Sequence, residues 1–196
     1  MIYDITREMF STPTFPGDPI PEKSAHTSFD KPVPDIYQVT KISITGHTGT
    51  HADAPRHFLP DGKDVADADI SRCIGKCRVA EHSGIVTADD VHRMIKDDTD
   101  KLLIKGDITI TPESAAEMVK CGLRAVGVEG MTVGTDGTIA QVHRTLLGAE
   151  IYIMENLDLS AVPEGEYFLS ALPLKMAGMD GSPIRAVLIG DELCHL

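Results

Sequence analysis

Short blocks of apolar residues recur along this chain and predict more strands than helices. Their lengths are typical of buried or half-buried β-strands. These blocks cover residues 2–5, 76–81, 101–104, 124–128, 151–154, 168–172 and 186–189. Residues 37–45 alternate instead, with Ile42 and Ile44 on one face and polar side chains on the other. This alternation predicts a half-buried strand that runs directly into His47.

Three helices are predicted between these strands, and two of them begin at recognisable capping residues. Thr87 precedes a pair of acidic residues, as a hydroxyl N-cap often does. Thr111 precedes Pro112, which suits the first position of a helix that ends near Gly122. The third helix covers residues 139–147. Strands interleaved with helices in this way predict an α/β fold with a mixed sheet.

An extended N-terminal arm interrupts this pattern near the start of the chain. Residues 13–21 contain four prolines and a glycine, a density that excludes regular helix or strand. The rest of the 196 residues contain no repeat, low-complexity tract or linker, and a chain of this length can enclose one sizeable core. We therefore expect a single domain over residues 1–196.

Composition and charge narrow the range of partners. With 42% apolar and 24% charged residues, the chain has the composition of an ordinary globular protein. Its net charge of −12 argues against nucleic acid and anionic membrane surfaces, because both require basic patches. No apolar run is long enough to cross a bilayer, and the first residues lack the apolar core of a secretory signal. We expect a cytoplasmic protein that binds neither nucleic acid nor membrane.

The cysteines are expected to be reduced, packed thiols. They are Cys73, Cys77, Cys121 and Cys194. The spacing of Cys73 and Cys77 does not match the C-x-x-C knuckle of a structural zinc site. A closed zinc site built on cysteine is therefore not expected.

The densest chemistry lies between residues 47 and 58, in the sequence His-Thr-Gly-Thr-His-Ala-Asp-Ala-Pro-Arg-His-Phe. It gathers His47, His51, Asp53 and His57 in one short segment, whereas the other histidines are scattered singly. Imidazole nitrogen and carboxylate oxygen are preferred ligands of zinc and similar divalent ions. The segment therefore predicts a metal site, and a turn with solvated histidines is the weaker alternative.

The spacing within this segment constrains its backbone. On a straight strand His47 and His51 would lie roughly 13 Å apart, too far for two ligands that sit about 2.1 Å from one zinc ion. We therefore expect the strand to break at Gly46 or Gly49 into a tight bend that brings the two imidazoles together. Asp53 can then reach the same ion. Because no cysteine lies nearby, an open catalytic site is favoured over a closed structural one.

Two downstream residues are candidates for a second group of ligands. Glu155 follows the strand 151–154 in phase with Ile151 and Ile153, so it continues an apolar face. Buried carboxylates need a partner or a metal, yet a residue at a strand end can also reach solvent, and the pattern allows both. His143 lies on a predicted helix, where an ordinary surface position is the simpler interpretation.

Residues 47–58 resemble the H-x-G-T-H-x-D-x-P-x-H signature of the cyclase family of metal hydrolases, which includes bacterial-type kynurenine formamidases and isatin hydrolases. Weaker segments that match the family occur one after another along nearly the whole chain. They are Pro16-Gly17-Asp18, His143 with Glu155 in an I-x-E-N-L context, Leu172–Lys175 and Asp180–Ala186. The central motif is long and specific, and the order of the other segments adds to it.

The resemblance implies a swivelling β/β/α domain that usually forms a homodimer or homotetramer, with the N-terminal arm reaching a neighbour's site. It also implies two divalent metal ions, with zinc as the first candidate and manganese as the second. Carried over position by position, one ion would be held by His47, His51 and Asp53. Asp53 would bridge to the other ion, held by His143 and Glu155.

The reaction implied is hydrolysis of N-formylkynurenine to kynurenine and formate, a step of tryptophan catabolism, through a metal-activated hydroxide. His57 would stay off the metals as general acid and base. The alternatives are an isatin-like lactam or another small cyclic amide or ester as substrate, and a non-catalytic domain that binds metal or a small ligand. The chain departs from a typical member in having no tryptophan and in carrying Glu129 where aspartate is expected. These departures concern the substrate rather than the ligands.

Overall fold

The computed structural model describes residues 1–96 and 99–190. Its strands are β1 (Ile2–Asp4), β2 (Glu22–Thr27), β3 (Val39–Ser43), β4 (His51–Asp53), β5 (Ile74–Glu81), β6 (Gly84–Val86), β7 (Lys101–Lys105), β8 (Ile108–Ile110), β9 (Ala125–Val128), β10 (Tyr152–Glu155), β11 (Gly165–Ser170), β12 (Gly181–Pro183) and β13 (Val187–Gly190). Its helices are α1 (Ala88–Met94), α2 (Pro112–Lys120) and α3 (Ile139–Gly148). Three short 3₁₀ turns lie between β4 and β5.

Nine strands form one curled, mixed sheet in the order β1-β13-β11-β5-β7-β9-β10-β4-β12. Its centre, β5-β7-β9-β10, is parallel. Antiparallel strands complete both edges. Parallel neighbours need crossover connections, and α1, α2 and α3 lie in the successive crossovers. This arrangement confirms the predicted α/β class with a mixed sheet.

The central strands divide their side chains between two cores. Leu102 and Ile104 of β7 pack in the core that contains residues of all three helices, whereas Leu103 packs in the core on the opposite face. Ile151 and Ile153 also belong to the helix-side core. The face that carries Ile153 therefore also turns Glu155 towards the helices.

Local sequence sets where two of the helices begin. Thr87 accepts a hydrogen bond from the amide of Asp90, whose carboxylate accepts one from the amide of Thr87, and this reciprocal box starts α1. Thr111 and Ser114 start α2 in the same way, and both starts were predicted. No helix in the described part of the chain has the length and apolar character that a bilayer crossing requires.

The predicted half-buried strand over residues 37–45 is wrong in its burial. The observed strand is β3, every residue of which is exposed, and within the described ranges it pairs with β2 alone. Ile42 keeps 51% of its surface exposed. The alternation marks an apolar face correctly, but this two-stranded ribbon has no second layer over it in the described chain.

Periodicity also missed several short strands. β4, β6, β8 and β12 have three residues each, too few to show a repeating pattern. Two of them, β4 and β12, complete the large sheet beyond β10 and form one of its edges.

The thiols behave as predicted where the structure describes them. Cys73 and Cys77 are buried, Cys121 is half-buried, and all three are unpaired. Cys194 lies outside the described residues.

Candidate metal centre

A tight bend between β3 and β4 turns His47 and His51 towards each other. Gly49 adopts a φ of +66° in this bend, a left-handed conformation that glycine tolerates. Gly46 serves a different purpose, because a side chain there would meet the carbonyl oxygen of Gly181 at 2.7 Å. The two imidazole centroids lie 5.0 Å apart. The predicted break in the strand is therefore confirmed.

The pairing of β4 with β10 brings three of the candidate ligands to one face. His51 is directly opposite Glu155, and Asp53 is directly opposite Ile153. Because side chains alternate along a strand, His51 and Asp53 point to the helix side while Ala52 enters the other core. The carboxylate of Glu155 therefore lies on the same side of the sheet as α3.

Four buried side chains close a ring of contacts on this face, and we call His51, Asp53, His143 and Glu155 the buried quartet. His51 Nε2 lies 3.5 Å from Asp53 Oδ1 and 3.3 Å from Glu155 Oε2. His143 Nε2 lies 3.5 Å from Asp53 Oδ2 and 3.3 Å from Glu155 Oε1. Each carboxylate thus faces both imidazoles, and no member is more than 4% exposed.

A second group of side chains adjoins the quartet on its solvent side. His47 Nδ1 lies 3.0 Å from Asp53 Oδ1, and its Nε2 lies 3.1 Å from Asp180 Oδ2. The ring of His57 lies against that of His47 with centroids 4.0 Å apart, and its Nδ1 is 3.6 Å from the same Asp180 oxygen. Potential ligand atoms of His47, Asp53 and His57 all lie within 4.8 Å of one another. Asp53 therefore belongs to both groups.

Backbone carbonyls orient the two imidazoles of the quartet. Nδ1 of His51 donates a hydrogen bond to the carbonyl of Gly49, and Nδ1 of His143 donates one to the carbonyl of Ile139, both at 2.8 Å. A carbonyl can only accept, so both Nδ1 atoms carry the proton and both Nε2 atoms face the carboxylates. Outer hydrogen bonds of this kind hold metal-binding histidines in position.

The residue after Glu155 braces the bend. Asn156 has a φ of +58°, in the left-handed region that residues other than glycine seldom adopt. Its Nδ2 donates to the carbonyl of Gly49 at 3.2 Å, and its own carbonyl accepts from Thr50 Oγ1 at 2.6 Å. These two bonds tie the bend to the end of β10, and so fix His51 relative to Glu155.

The carboxylates hold positive charge among the imidazoles. Burial opposes protonation of His47, but the hydrogen bond and charge of Asp53 outweigh it and raise the pKa of His47 to about 9. Asp53 and Glu155 likewise outweigh burial and raise the pKa of His143 to about 10. Despite its burial, Asp53 keeps a pKa well below its usual range because the imidazoles of His143 and His47 face its carboxylate and stabilise its charge. His57 differs, since burial lowers its pKa and the charge on His47 adds to that effect.

This donor set fits a divalent metal ion. Asp53 Oδ2 is buried and has no hydrogen-bond partner in the described chain, a costly state unless positive charge meets it. Ligands about 2.0–2.1 Å from a tetrahedral zinc ion lie roughly 3.3–3.4 Å from one another. Each imidazole nitrogen of the quartet lies 3.3–3.5 Å from a carboxylate oxygen, the separation of two ligands on a shared ion. The four residues do not form one tetrahedral set, because each carboxylate turns a different oxygen to each imidazole. Imidazole and carboxylate without thiolate suit zinc or manganese.

These groups form one wall of a pocket of about 200 Å³. Phe15, Phe58 and Met131 contribute apolar surface to it, and Phe58 stacks on His143 with ring centroids 4.3 Å apart. Phe15 and Asp18 come from the N-terminal arm of the same chain. The arm, which the resemblance places at a neighbour's site, therefore borders the site of its own chain.

The structure brings together all the residues that the sequence singled out at this site, and it decides two alternatives. His143 is not on the surface, and Glu155 does not reach solvent, because both are buried in the quartet. His51 lies as close to Glu155 as to Asp53, so it connects the two proposed ligand groups. Asp180 was not predicted as a site residue, although it begins one of the segments that resemble the family.

Comparison with known proteins gives consistent matches over most of the chain. The sequence profile of the family described as "Putative cyclase" matches residues 3–135. A kynurenine formamidase from Bacillus mycoides (strain KBAB4) is 33% identical over 190 residues, which cover 89% of this chain and 90% of that protein.

Two solved structures share the fold. One, described as a potential metal-dependent hydrolase with cyclase activity, has a TM-score of 0.83 and 26% identity, and the match covers 96% of both chains. The isatin hydrolase A from Labrenzia aggregata has a TM-score of 0.82 and 22% identity, covering 96% of this chain and 93% of that one. At 22% identity, the similarity to isatin hydrolase A shows a shared fold and nothing more.

Proposed function

The chain belongs to the cyclase family, and from this premise we propose that it is a metal-dependent hydrolase of small amides. The proposed reaction cleaves the C–N bond of N-formylkynurenine and releases formate and kynurenine. The relative at 33% identity, a kynurenine formamidase that this chain matches over nine-tenths of its length, supports this substrate. The solved structure described as a metal-dependent hydrolase supports the class of reaction.

The buried quartet is the observation that carries the proposal. We assign His47, His51 and Asp53 to one divalent ion, and Asp53 with His143 and Glu155 to a second. Zinc is the first candidate and manganese the second, because both accept imidazole and carboxylate ligands. When bound, such ions lower the pKa of a water molecule and polarise the carbonyl of the amide.

His57 is proposed as the group that moves the proton. Its side chain is 28% exposed and lines the pocket, so its ring can reach a bound substrate. Burial lowers the pKa of His57, so near neutral pH its imidazole is unprotonated and can accept a proton. It takes a proton from the attacking water and returns it to the leaving nitrogen as the C–N bond breaks, so the products are formate and the free amine.

The apolar wall of the pocket supports an aryl substrate. Phe15 and Phe58 contribute aromatic surface to the lining of the pocket. A cavity of about 200 Å³ suits a small molecule rather than a polymer.

A hydrolysis screen tests the proposal. The metal-free protein receives zinc or manganese and is offered N-formylkynurenine, isatin and simple formamides. We expect N-formylkynurenine to be cleaved, with about two ions bound per chain. Faster cleavage of isatin would favour the lactam alternative. Bound ions without any hydrolysis would favour a binding domain, and the absence of metal under every condition would reject the hydrolase.

We further propose that the protein forms a homodimer or homotetramer through the β2–β3 ribbon. Large apolar side chains are exposed on and around this ribbon, and a monomer would leave them in water. They include Phe29, Val33, Ile36, Tyr37 and Ile42. Light scattering on the purified protein tests this, and replacing Ile36 and Ile42 by lysine should release monomers. A monomeric unsubstituted protein would contradict the proposal.

A cytoplasmic location and a single domain are proposed as well. The unpaired thiols Cys73, Cys77 and Cys121 suit a reducing compartment. The helices and most strands gather on one nine-stranded sheet, which suits one folding unit. Cell fractionation tests the location, and we expect the protein in the cytoplasmic fraction. Limited proteolysis tests the domain count, and we expect one resistant core.

A further inference from the structure

Asp180 is a carboxylate at the site without a place in the proposed ligand set. Its Oδ2 lies 3.1 Å from Nε2 of His47 and 3.6 Å from Nδ1 of His57. Two imidazoles with centroids 4.0 Å apart therefore converge on one carboxylate oxygen. The side chain of Asp180 is 47% exposed, which separates it from the buried quartet.

Backbone contacts hold Asp180 beside the candidate metal centre. Its carbonyl accepts a hydrogen bond of 2.9 Å from the amide of Ala54. The next residue, Gly181, begins β12 and pairs with Asp53 of β4. Asp180 and Gly181 thus hold this peptide against the segment from Asp53 to His57, and the carboxylate of Asp180 faces His57 and also His47, which precedes that segment.

Gly181 is needed for this arrangement. A Cβ atom on residue 181 would lie 2.6 Å from Cε1 of His47, closer than real Cβ contacts allow. The ring of His47 can therefore lie against the Asp180–Gly181 peptide only because residue 181 has no side chain. The local sequence at 180–181 thus accommodates the imidazole and supplies an acceptor for it.

We propose that Asp180 is a positioning residue for proton transfer by His57 and not a ligand of the metal. The inference rests on the proposed function, since His57 acts on a substrate only in a hydrolase. A carboxylate that faces Nδ1 keeps the proton on that nitrogen and leaves Nε2, across the ring, to exchange a proton with the substrate. The same charge stabilises the imidazolium formed during the reaction.

The distances agree with this role. At 3.6 Å the separation of Asp180 Oδ2 and His57 Nδ1 is longer than a hydrogen bond. Hydrogen bonds of catalytic groups commonly shorten when substrate binds, and the exposed side chain of Asp180 has the freedom to do so. His47, which lies closer to the same oxygen, holds the carboxylate beside His57 before substrate arrives.

The tautomer of His57 tests the proposal without any measurement of activity. In zinc-loaded protein with ¹⁵N-labelled histidine, long-range ¹H–¹⁵N NMR spectra distinguish the two neutral tautomers. We expect the Nδ1–H form for His57 in the unsubstituted protein and in Asp180→Asn, whose amide oxygen still accepts. Asp180→Ala should lose this preference. The Nε2–H form in the unsubstituted protein would overturn the proposal, whether or not the protein hydrolyses amides.

Kinetics supply the second test. In the zinc-loaded enzyme, Asp180→Ala should lower kcat for N-formylkynurenine about 10–100-fold, as loss of an outer partner usually does, with KM nearly unchanged. Asp180→Asn should recover part of the loss. In a His57→Ala background, Asp180→Ala should cost less than about threefold, because its effect passes through His57. Full additivity of the two losses would overturn the proposal.

Asp64→Asn is the matched control. Asp64 binds the same loop through the amide of Gly178, and its other hydrogen bonds also go to backbone amides. We expect this variant to keep kcat within about twofold, and an equal loss would show that loop damage explains the Asp180 variants. The zinc content per chain should be the same in all variants. Loss of an ion in Asp180→Ala would place its role at the metal, directly or through His47, and overturn the proposal.

Discussion

Asp53 is the residue on which the proposed metal centre depends, because its two oxygens face different neighbours. Oδ1 faces His47 and His51, whereas Oδ2 faces His143. The side chain is fully buried, so each oxygen must find its partner inside the site. Asparagine would keep the shape but lose one acceptor and the charge, and glutamate would be too long for the same place. A short carboxylate is therefore the residue type that this position requires.

His143→Ala tests the proposed second ion. We expect bound metal to fall from about two ions per chain to about one, because the substitution removes a ligand that Asp53 and Glu155 cannot replace. Elemental analysis after dialysis against zinc measures the content. His26→Ala, which changes an exposed histidine outside the site, is the control. An unchanged count in His143→Ala would contradict the assignment.

His57→Ala separates proton transfer from metal binding. The variant should keep its full metal content yet lose about 10²–10⁴-fold in kcat, the usual contribution of a general acid and base. Steady-state kinetics with N-formylkynurenine, together with elemental analysis, check the two parts. Normal turnover would show that His57 has no part in the mechanism. Loss of metal would indicate that His57 is a ligand.

At the scale of elements, β4 shows how little regular structure a site needs. It has three residues, lies between β10 and β12, and would have no fixed structure as an isolated peptide. Pairing with β10 sets its register, so His51 and Asp53 share a face with Glu155. A slip of one residue would send both proposed ligands into the opposite core. The site therefore depends on strand register as much as on ligand identity.

Gly181→Ala tests the close approach of β12 to the imidazole of His47. The added methyl group would collide with that ring, so we expect weaker metal binding and at least about tenfold lower activity, since a misplaced ligand or catalytic group is costly. Gly148→Ala is the control, because a methyl group at the end of α3 would meet no other element of the described chain within 4 Å. Metal titration and kinetics compare the two, and equal behaviour would contradict the steric argument.

Cys73 and Cys77 are expected to react more slowly than Cys121, because they are more deeply buried. Burial raises the pKa of Cys73 to about 11 and that of Cys77 to about 12, so both remain protonated at neutral pH and the thiolate appears only as pH rises towards those values. At pH 8 a thiol reagent should label the half-buried Cys121 well before either of them, as mass spectrometry of peptides would show. Rapid labelling of Cys77 in the folded protein would contradict its burial.

For the whole molecule, the sheet and the helix layer together assemble the site. The proposed ligands from the bend and β4 meet Glu155 at the end of β10 and His143 on α3, about a hundred positions further along the chain. The two cores on either side of the sheet hold these elements in place. Metal binding should therefore be linked to the stability of the entire fold.

Metal removal tests this linkage. A metal present at about a hundred times its Kd stabilises a fold by about 2.7 kcal/mol, which corresponds to roughly 5–10 °C in Tm for a chain of this size. We expect a chelator to lower Tm by that amount in calorimetry, and added zinc to restore it. The transition should remain single in both states. An unchanged Tm would mean that the metal does not prefer the folded state to the unfolded chain, and would contradict this linkage.

Much of this architecture was accessible from the sequence, because the signals involved are local. Apolar blocks indicated the central strands, and the hydroxyl caps at Thr87 and Thr111 placed two helix starts. The spacing of His47 and His51 required a bend, and Gly49 supplies it. The dense ligand motif and its resemblance to a known family pointed to metal hydrolysis before any contact was known.

The tertiary structure alone decided what depends on distant partners. Only strand pairing and the position of α3 show that Glu155 and His143 are buried together with Asp53, because local pattern carries no information about which element covers a face. The same reason explains the error at β3, where an apolar face is left uncovered within the described chain. The proposed role of Asp180 likewise depends on its contacts with two imidazoles, which only the tertiary structure brings together.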